Sequence, residues 1–240
     1  MSTENGYLAL LLDAPLQSWG FASQFQRRTT GLHPTKSGVF GLICAAMGIG
    51  KGTAAERELL QTTMTMTSIA IPRGLNPVHR LEDFHTVGGG YDKKTQPQSI
   101  PRKASCGPCD YPSVTRRQYL ADAIFGVILT GDRALLERVA TALCDPVWGV
   151  WLGRKSCIPA APVVRGVFSD LEKAQRELIG EVPLEQFTRV EEVTGFAAGT
   201  DSYNDQPVSF GQTDSSSEGR AFSVRRVNLI PGTLPPSLDT

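Results

Sequence analysis

Apolar positions along the chain fall into two patterns, short continuous runs and a rhythm of three and four, and together they predict a set of elements. Tyr7 to Leu12 reads as a buried strand. The run Val39 to Met47, ending at Gly48, predicts a helix over Ser37 to Met47, and a second short helix covers Ala54 to Gln61. Pro34 disfavours helical geometry at His33, and Thr35 or Ser37 supplies an oxygen to cap the first amides. Met64 to Ile71, rich in Thr and Ile and closed by Pro72, predicts a strand, as does the apolar run Ala121 to Thr130. Gly131-Asp132 then opens a helix through Leu143, with apolar residues at 135, 136, 139, 140 and 143 on one face. Val147 to Leu152 is expected to close the set as a strand.

The order strand, helix, strand, strand, helix, strand predicts an α+β domain of ferredoxin-like or RRM-like layout, an antiparallel sheet with both helices on one face and the other face free. That domain is assigned to residues 1–168. Within it, residues 73–120 form a long insertion carrying eight basic residues against four acidic, together with Gly88-Gly89-Gly90, Pro97, Pro101, Pro108 and Pro112. Its flanks, Val78 to Val87 and Ser113 to Tyr119, are β-prone, so the insertion reads as a projecting hairpin. Residues 169–240 form a small C-terminal extension. There Ser169-Asp170-Leu171-Glu172 reads as a capping box opening a helix to Ile179. β-prone pieces follow at Phe187 to Val193, Val208 to Phe210 and Phe222 to Ile230, with Thr200 to Arg220 expected as a flexible loop.

Composition is ordinary for a soluble globular protein, with 40% hydrophobic and 20% charged residues in 240. The apolar run nearest the N-terminus, Leu8 to Leu12, is too short to cross a bilayer or form a signal-peptide core, so a cytoplasmic location without membrane attachment is expected. Five cysteines without framework spacing suit a reducing compartment. The zero net charge hides an asymmetry: residues 1–160 carry 17 Lys and Arg against 12 Asp and Glu, and residues 161–240 carry 7 against 12. Ala14 to Ala55 contains Arg27, Arg28, Lys36 and Lys51 but no acidic residue, which points to an anionic partner.

Within that basic island, the amides opening the first helix, its dipole and the Lys36 ammonium make a candidate phosphate seat at Lys36, Ser37 and Gly38; an ordinary capped helix with a solvated lysine is the plain alternative. A Walker loop is excluded, because the glycine positions one and six before the lysine hold Thr35 and Thr30. Cys106-Gly107-Pro108-Cys109 matches the redox tetrapeptide of thioredoxins, but Pro101 and Pro112 bracket it and neither an apolar strand nor a helical period adjoins it. Half a zinc site is the other reading, with no second pair to complete four ligands; no cofactor or metal is expected.

Five segments read together in order: Pro15-Leu16-Gln17-Ser18-Trp19-Gly20; Arg28 with Pro34-Thr35-Lys36-Ser37-Gly38; Asp83-Phe84-His85-Thr86-Val87; Thr115-Arg116-Arg117-Gln118-Tyr119-Leu120-Ala121-Asp122-Ala123; and Leu152-Gly153-Arg154-Lys155-Ser156-Cys157-Ile158-Pro159. This series closely resembles the CasD family of the RAMP superfamily, subunits of type I-E CRISPR surveillance complexes (Cascade), over residues 7–168. The resemblance implies an RRM-like body with a β-hairpin thumb. It further implies a non-catalytic subunit that caps the 5′ handle of the CRISPR RNA, abuts the CasC backbone, helps seat the large CasA subunit, and meets target DNA only through the assembled complex.

On that footing Lys36 and Arg28 are the leading phosphate contacts, with Arg27 beside them. Trp19 lies beside the RNA path or in the core, and Gln17 reads a base edge or bonds its loop. Arg116 and Arg117 alternate along a thumb strand, so one of them faces RNA. His85 stacks on a displaced nucleotide or packs in the thumb base, and Gly153-Arg154-Lys155-Ser156 makes a basic turn open to phosphate. The enzymatic alternative is a repeat-processing ribonuclease of the type I-C kind, using His33, His85, Tyr119 and Lys36; a thiol oxidoreductase stands further off.

Overall fold

The computed structural model describes residues 4–20, 26–74, 78–87, 102–103, 107–108, 113–195, 199, 201–211 and 220–234. In chain order the elements are β1 (Asn5–Asp13), β2 (Leu16–Gln17), β3 (Arg27–Arg28), α1 (Lys36–Ala46), α2 (Ala54–Leu60), β4 (Thr65–Ile71), β5 (His79–Val87), β6 (Arg102–Lys103) and β7 (Gly107–Pro108). They continue with β8 (Ser113–Ala121), β9 (Ile124–Asp132), α3 (Arg133–Cys144), β10 (Val164–Phe168), α4 (Leu171–Ile179), β11 (Arg189–Glu192), β12 (Asp201–Ser209) and β13 (Ala221–Ile230). No described helix is long and apolar enough to cross a membrane.

A seven-stranded sheet in the order β10-β1-β9-β4-β11-β13-β12 organises the molecule, and every neighbouring pair is antiparallel. Alternation along β1 and β9 sends successive residues to opposite faces. On one face Leu8, Leu10, Leu12, Phe125, Val127 and Leu129 pack under Phe40 and Ile43 of α1 and Leu136 and Val139 of α3. On the other, Ala9, Ile69 and Ile128 meet Ala174 and Leu178 of α4 and Phe187. The second face was expected to be free; α4 covers it, because the amphipathic helix buries its apolar stripe there. Asp170 caps α4 through its carboxylate on the Glu172 and Lys173 amides, one residue along from the Ser169 expected.

Val147 to Leu152, expected as the closing strand, is irregular, and β10 takes that place beside β1. The cause lies in the backbone: Val147 and Trp148 donate their amides to the Ala46 and Ala45 carbonyls, so the segment terminates α1 instead of extending a ladder. Within the expected Thr200 to Arg220 loop, residues 201–209 are a strand, β12, which pairs with β13 through backbone bonds that need no apolar alternation. The C-terminal strands therefore extend the main sheet, with β11 paired to β4.

A separate sheet stands off this body. β5 and β8 pair antiparallel from His79↔Ala121 to Val87↔Ser113, β2 adds to the base of β8, and β3 joins it in parallel with Arg27↔Arg116 and Arg28↔Arg117. This sheet positions most of the candidate cations.

Candidate nucleic-acid interface

An open groove of about 1190 Å³ lies between this second sheet and the C-terminal hairpin β12–β13. Arg28, Arg117 and Arg154 line one side; Ser202, Tyr203, Asn204, Arg220 and Phe222 line the other, with Thr35, Ser37 and Gly38 of the α1 N-terminus also bordering it. Arg28 and Arg220 are exposed, and among the described residues neither meets a carboxylate. Arg117 donates from Nε to Thr115 Oγ1 at 3.1 Å, which leaves the rest of its guanidinium toward the groove.

Arg154 is braced. It donates to the carbonyls of Gln118 and Arg28 at 2.7 and 2.9 Å and lies 4.6 Å from the Tyr119 ring, tying the 153–156 turn to β8 and β3. The turn depends on Gly153, at φ +103°, where a Cβ would fall 1.8 Å from the Ser18 carbonyl oxygen. Gly153→Ala is expected to destabilise the chain by roughly 2–4 kcal/mol, read as a lowered melting temperature, since neither backbone can yield without breaking the Ser18–Leu152 hydrogen bond.

A second hollow of about 440 Å³ adjoins the turn, lined by His85, Asp83, Arg117, Tyr119, Arg154, Lys155 and Ser156 among others. Arg117 and Arg154 border both spaces. Lys155 is exposed, its ammonium 5.6 Å from the Trp151 ring. Alternation along β8 separates its two arginines: Arg117 lines the groove, while Arg116 lies 4.9 Å from the exposed Phe84 ring and 3.9 Å from Glu82. Arg27 is exposed but lines neither space.

Gln17 and Trp19 take the inward of their two readings, and Lys36 takes neither of its own. Gln17 is fully buried, donating to the Leu12 and Ala123 carbonyls and accepting from Trp19 Nε1, so its amide is spent inside the fold. Trp19 is 1% exposed, and its ring packs so closely on α1 that a Cβ on Gly38 would sit 2.9 Å from it. Lys36 is 3% exposed, its ammonium 2.8 Å from Glu192. Burial pulls the Lys36 pKa below the usual lysine value and Glu192 pushes back. The phosphate seat is filled from within: the Lys36 amide donates to Asp205 Oδ2 at 2.8 Å and the Gly38 amide to Thr35 Oγ1 at 3.2 Å. Asp205 thus takes the place of an anion at the helix N-terminus.

The sequence reading missed Glu192, Asp205, Arg225 and the groove wall they support. The available signal was Arg225, which shares its strand face with Val227 in a β-prone run and so had to be buried with a partner.

The residues named for a ribonuclease do not converge. Only His85 and Tyr119 share a hollow, and Tyr119 is 5% exposed beneath Arg154. His33 packs 6.1 Å from Phe125 with Nδ1 buried and without a hydrogen-bond partner, and desolvation lowers its pKa to about 4. Its folded pKa lies below the unfolded value, so the neutral ring's contribution is complete above pH 6.5 and is lost as pH falls toward 4. Urea unfolding at pH 7 and pH 5 is expected to show the wild type losing on the order of 1 kcal/mol more than His33→Gln; equal losses would contradict a desolvated His33. Cys106 and Cys109 lie outside the described residues. Burial raises the thiol of Cys44 to about 12 and raises that of Cys157, which disfavours thiolate chemistry at either.

Against this geometry, the family model for the CRISPR-associated protein Cas_Cas5 (Cas_Cas5d) matches residues 7–228. The chain belongs to the Cas5 family. It is 30% identical over 178 residues to the CRISPR system Cascade subunit CasD of Escherichia coli strain K12, covering 70% of this chain and 75% of that protein. Among solved structures, a chain of a CRISPR RNA-guided surveillance complex matches with a TM-score of 0.72 and 31% identity, over 97% of this chain and 92% of that one. A crystal structure of a Cas protein matches with a TM-score of 0.60 and 29% identity, over 96% and 97%. The match of this Cas5 chain to its structural relatives thus includes the C-terminal strands, well beyond the residues whose motifs carry the resemblance.

Proposed function

We propose that this Cas5 protein is the non-catalytic RNA-binding subunit of a type I-E CRISPR surveillance complex, acting in the cytoplasm and capping the 5′ handle of the CRISPR RNA. The observation that carries the reading is the groove in which Arg28, Arg117 and Arg154 converge from β3, β8 and the 153–156 turn. Three guanidiniums, one braced and two with donors unpaired among the described residues, suit successive phosphates of a single strand. The strand order β10-β1-β9-β4 with α1 and α3 on one face supports a ferredoxin-like, RRM-like body over residues 1–168, and the β5–β8 hairpin supports a thumb within residues 73–120. Residues 169–240 act as an extension of that body. Neighbouring CasC backbone subunits and the large CasA subunit are the protein partners in this reading, with target DNA engaged through the assembled complex.

Repeat cleavage is the competing reading, and the hollow shared by His85, Tyr119 and Lys155 is what favours it. End-labelled repeat RNA and processed handle RNA, each incubated with the purified chain, separate the two. Gel-shift binding of the handle with both RNAs intact on denaturing electrophoresis supports capping. A discrete cut abolished by His85→Ala or Tyr119→Ala would replace it with a processing ribonuclease.

A further inference from the structure

The C-terminal hairpin is held to α1 by buried charges in a closed arrangement. Asp205 of β12 accepts from Arg225 Nε and Nη2 of β13 at 2.9 and 2.8 Å as well as from the Lys36 amide. Glu192 of β11 accepts from the Lys36 ammonium and, through its other oxygen, from the Met66 amide at 3.0 Å, with Arg225 Nη1 3.7 Å away. At the far end of β12, Ser209 donates to Glu56 of α2 at 3.3 Å. Apolar packing tolerates sliding, whereas paired ions with fixed hydrogen-bond directions set one position. The hairpin is therefore a fixed wall at a set distance from the arginines across the groove.

That wall carries its own chemistry for a nucleic acid. Arg220 is exposed where the groove meets a smaller hollow of about 280 Å³ beneath Trp148, Trp151 and Phe210. Phe222 is 37% exposed, stands edge-on to Phe210 at 6.4 Å, and lines the same groove. A guanidinium beside an exposed aromatic ring, facing three arginines across an open channel, is the arrangement that grips a single strand by its phosphate and stacks its base.

We propose that the β12–β13 hairpin is the second jaw of the RNA groove, with Arg220 holding a backbone phosphate and Phe222 stacking on a base. The inference rests on the RNA-binding reading and extends it to a wall outside the motifs of the sequence. The test is titration of the purified full chain with single-stranded handle RNA across a salt series, for the wild type, Arg220→Ala, Phe222→Leu and the double variant Arg28→Ala/Arg117→Ala. Circular dichroism confirms that each variant is folded; the substituted jaw side chains are surface groups, so the fold is expected to hold.

Arg220→Ala is expected to weaken binding about tenfold and to flatten the slope of log K against log salt by about 0.7, the single-strand value for one phosphate contact. Phe222→Leu is expected to weaken binding with the slope unchanged, because stacking releases no counterion. Wild-type affinity in both jaw variants, with a loss in Arg28→Ala/Arg117→Ala, overturns the second jaw and leaves the groove reading standing. Wild-type affinity in all three overturns the groove itself.

Discussion

Asp205→Ala is expected to destabilise the protein by about 3–5 kcal/mol, the scale on which removing one partner of a buried ion pair acts. The carboxylate is fully buried and serves three groups, Arg225 through two nitrogens and the Lys36 amide at the start of α1. Without it, two buried cations share Glu192 alone, and Arg225 Nη1 already lacks a hydrogen bond. Asp205→Asn, which keeps an acceptor for the amide but not the charge, is expected to fall between the alanine variant and the wild type. Urea denaturation followed by circular dichroism reads the difference; a loss under 1 kcal/mol for Asp205→Ala would mean that the hairpin is held by its strand pairing alone. Lys36→Ala belongs to the same class. Its principal effect is expected on stability, since an ammonium 2.8 Å from Glu192 and 3% exposed cannot also hold a phosphate.

Removing Arg28 and Arg117 together is expected to leave stability within about 0.5 kcal/mol, as for surface changes in general, while lowering handle affinity by about two orders of magnitude at low salt. Neither side chain is buried or in an ion pair among the described residues, so the fold has little to lose. Two fewer phosphate contacts on a single strand should also flatten the salt dependence by about 1.4 in slope. Filter-binding titrations at several salt concentrations measure both effects. A lower melting temperature with unchanged affinity would reverse the roles assigned here to the groove and the buried cluster.

The elements that were legible in the sequence are those whose side chains decide them. β1, α1, β4, β9 and α3 each carry the run or rhythm that their packing requires, and the paired strands β5 and β8 were visible as β-prone segments around a proline-rich centre. The misread segments are those decided by backbone partners elsewhere. Val147 to Leu152 has a strand's composition, but its first amides cap α1. β12 has a loop's composition, and its strand character comes from β13.

The site divides in the same way. Arg28, Arg117 and Arg154 could be named as candidates from basic segments beside predicted strands, and none of the three is buried or paired with a carboxylate among the described residues. Lys36 could not, because its partners stand 156 and 169 residues away at Glu192 and Asp205. Gln17 and Trp19 stayed between two readings for a related reason: both are polar-tipped side chains next to a glycine-containing loop, and only the packed core shows that each tip bonds inward.

The central claim is that RNA lies in the groove between the β5–β8 sheet and the C-terminal hairpin, and photocrosslinking tests it most directly. A handle RNA with 4-thiouridine at successive positions is bound to the full chain and irradiated, and the attached peptides are mapped. Crosslinks confined to the segments around Arg28, Arg117, Gly153 to Ser156 and the α1 N-terminus, with or without β12–β13, are the predicted result. Crosslinks on the α4 face of the main sheet, with none in the groove, would contradict it.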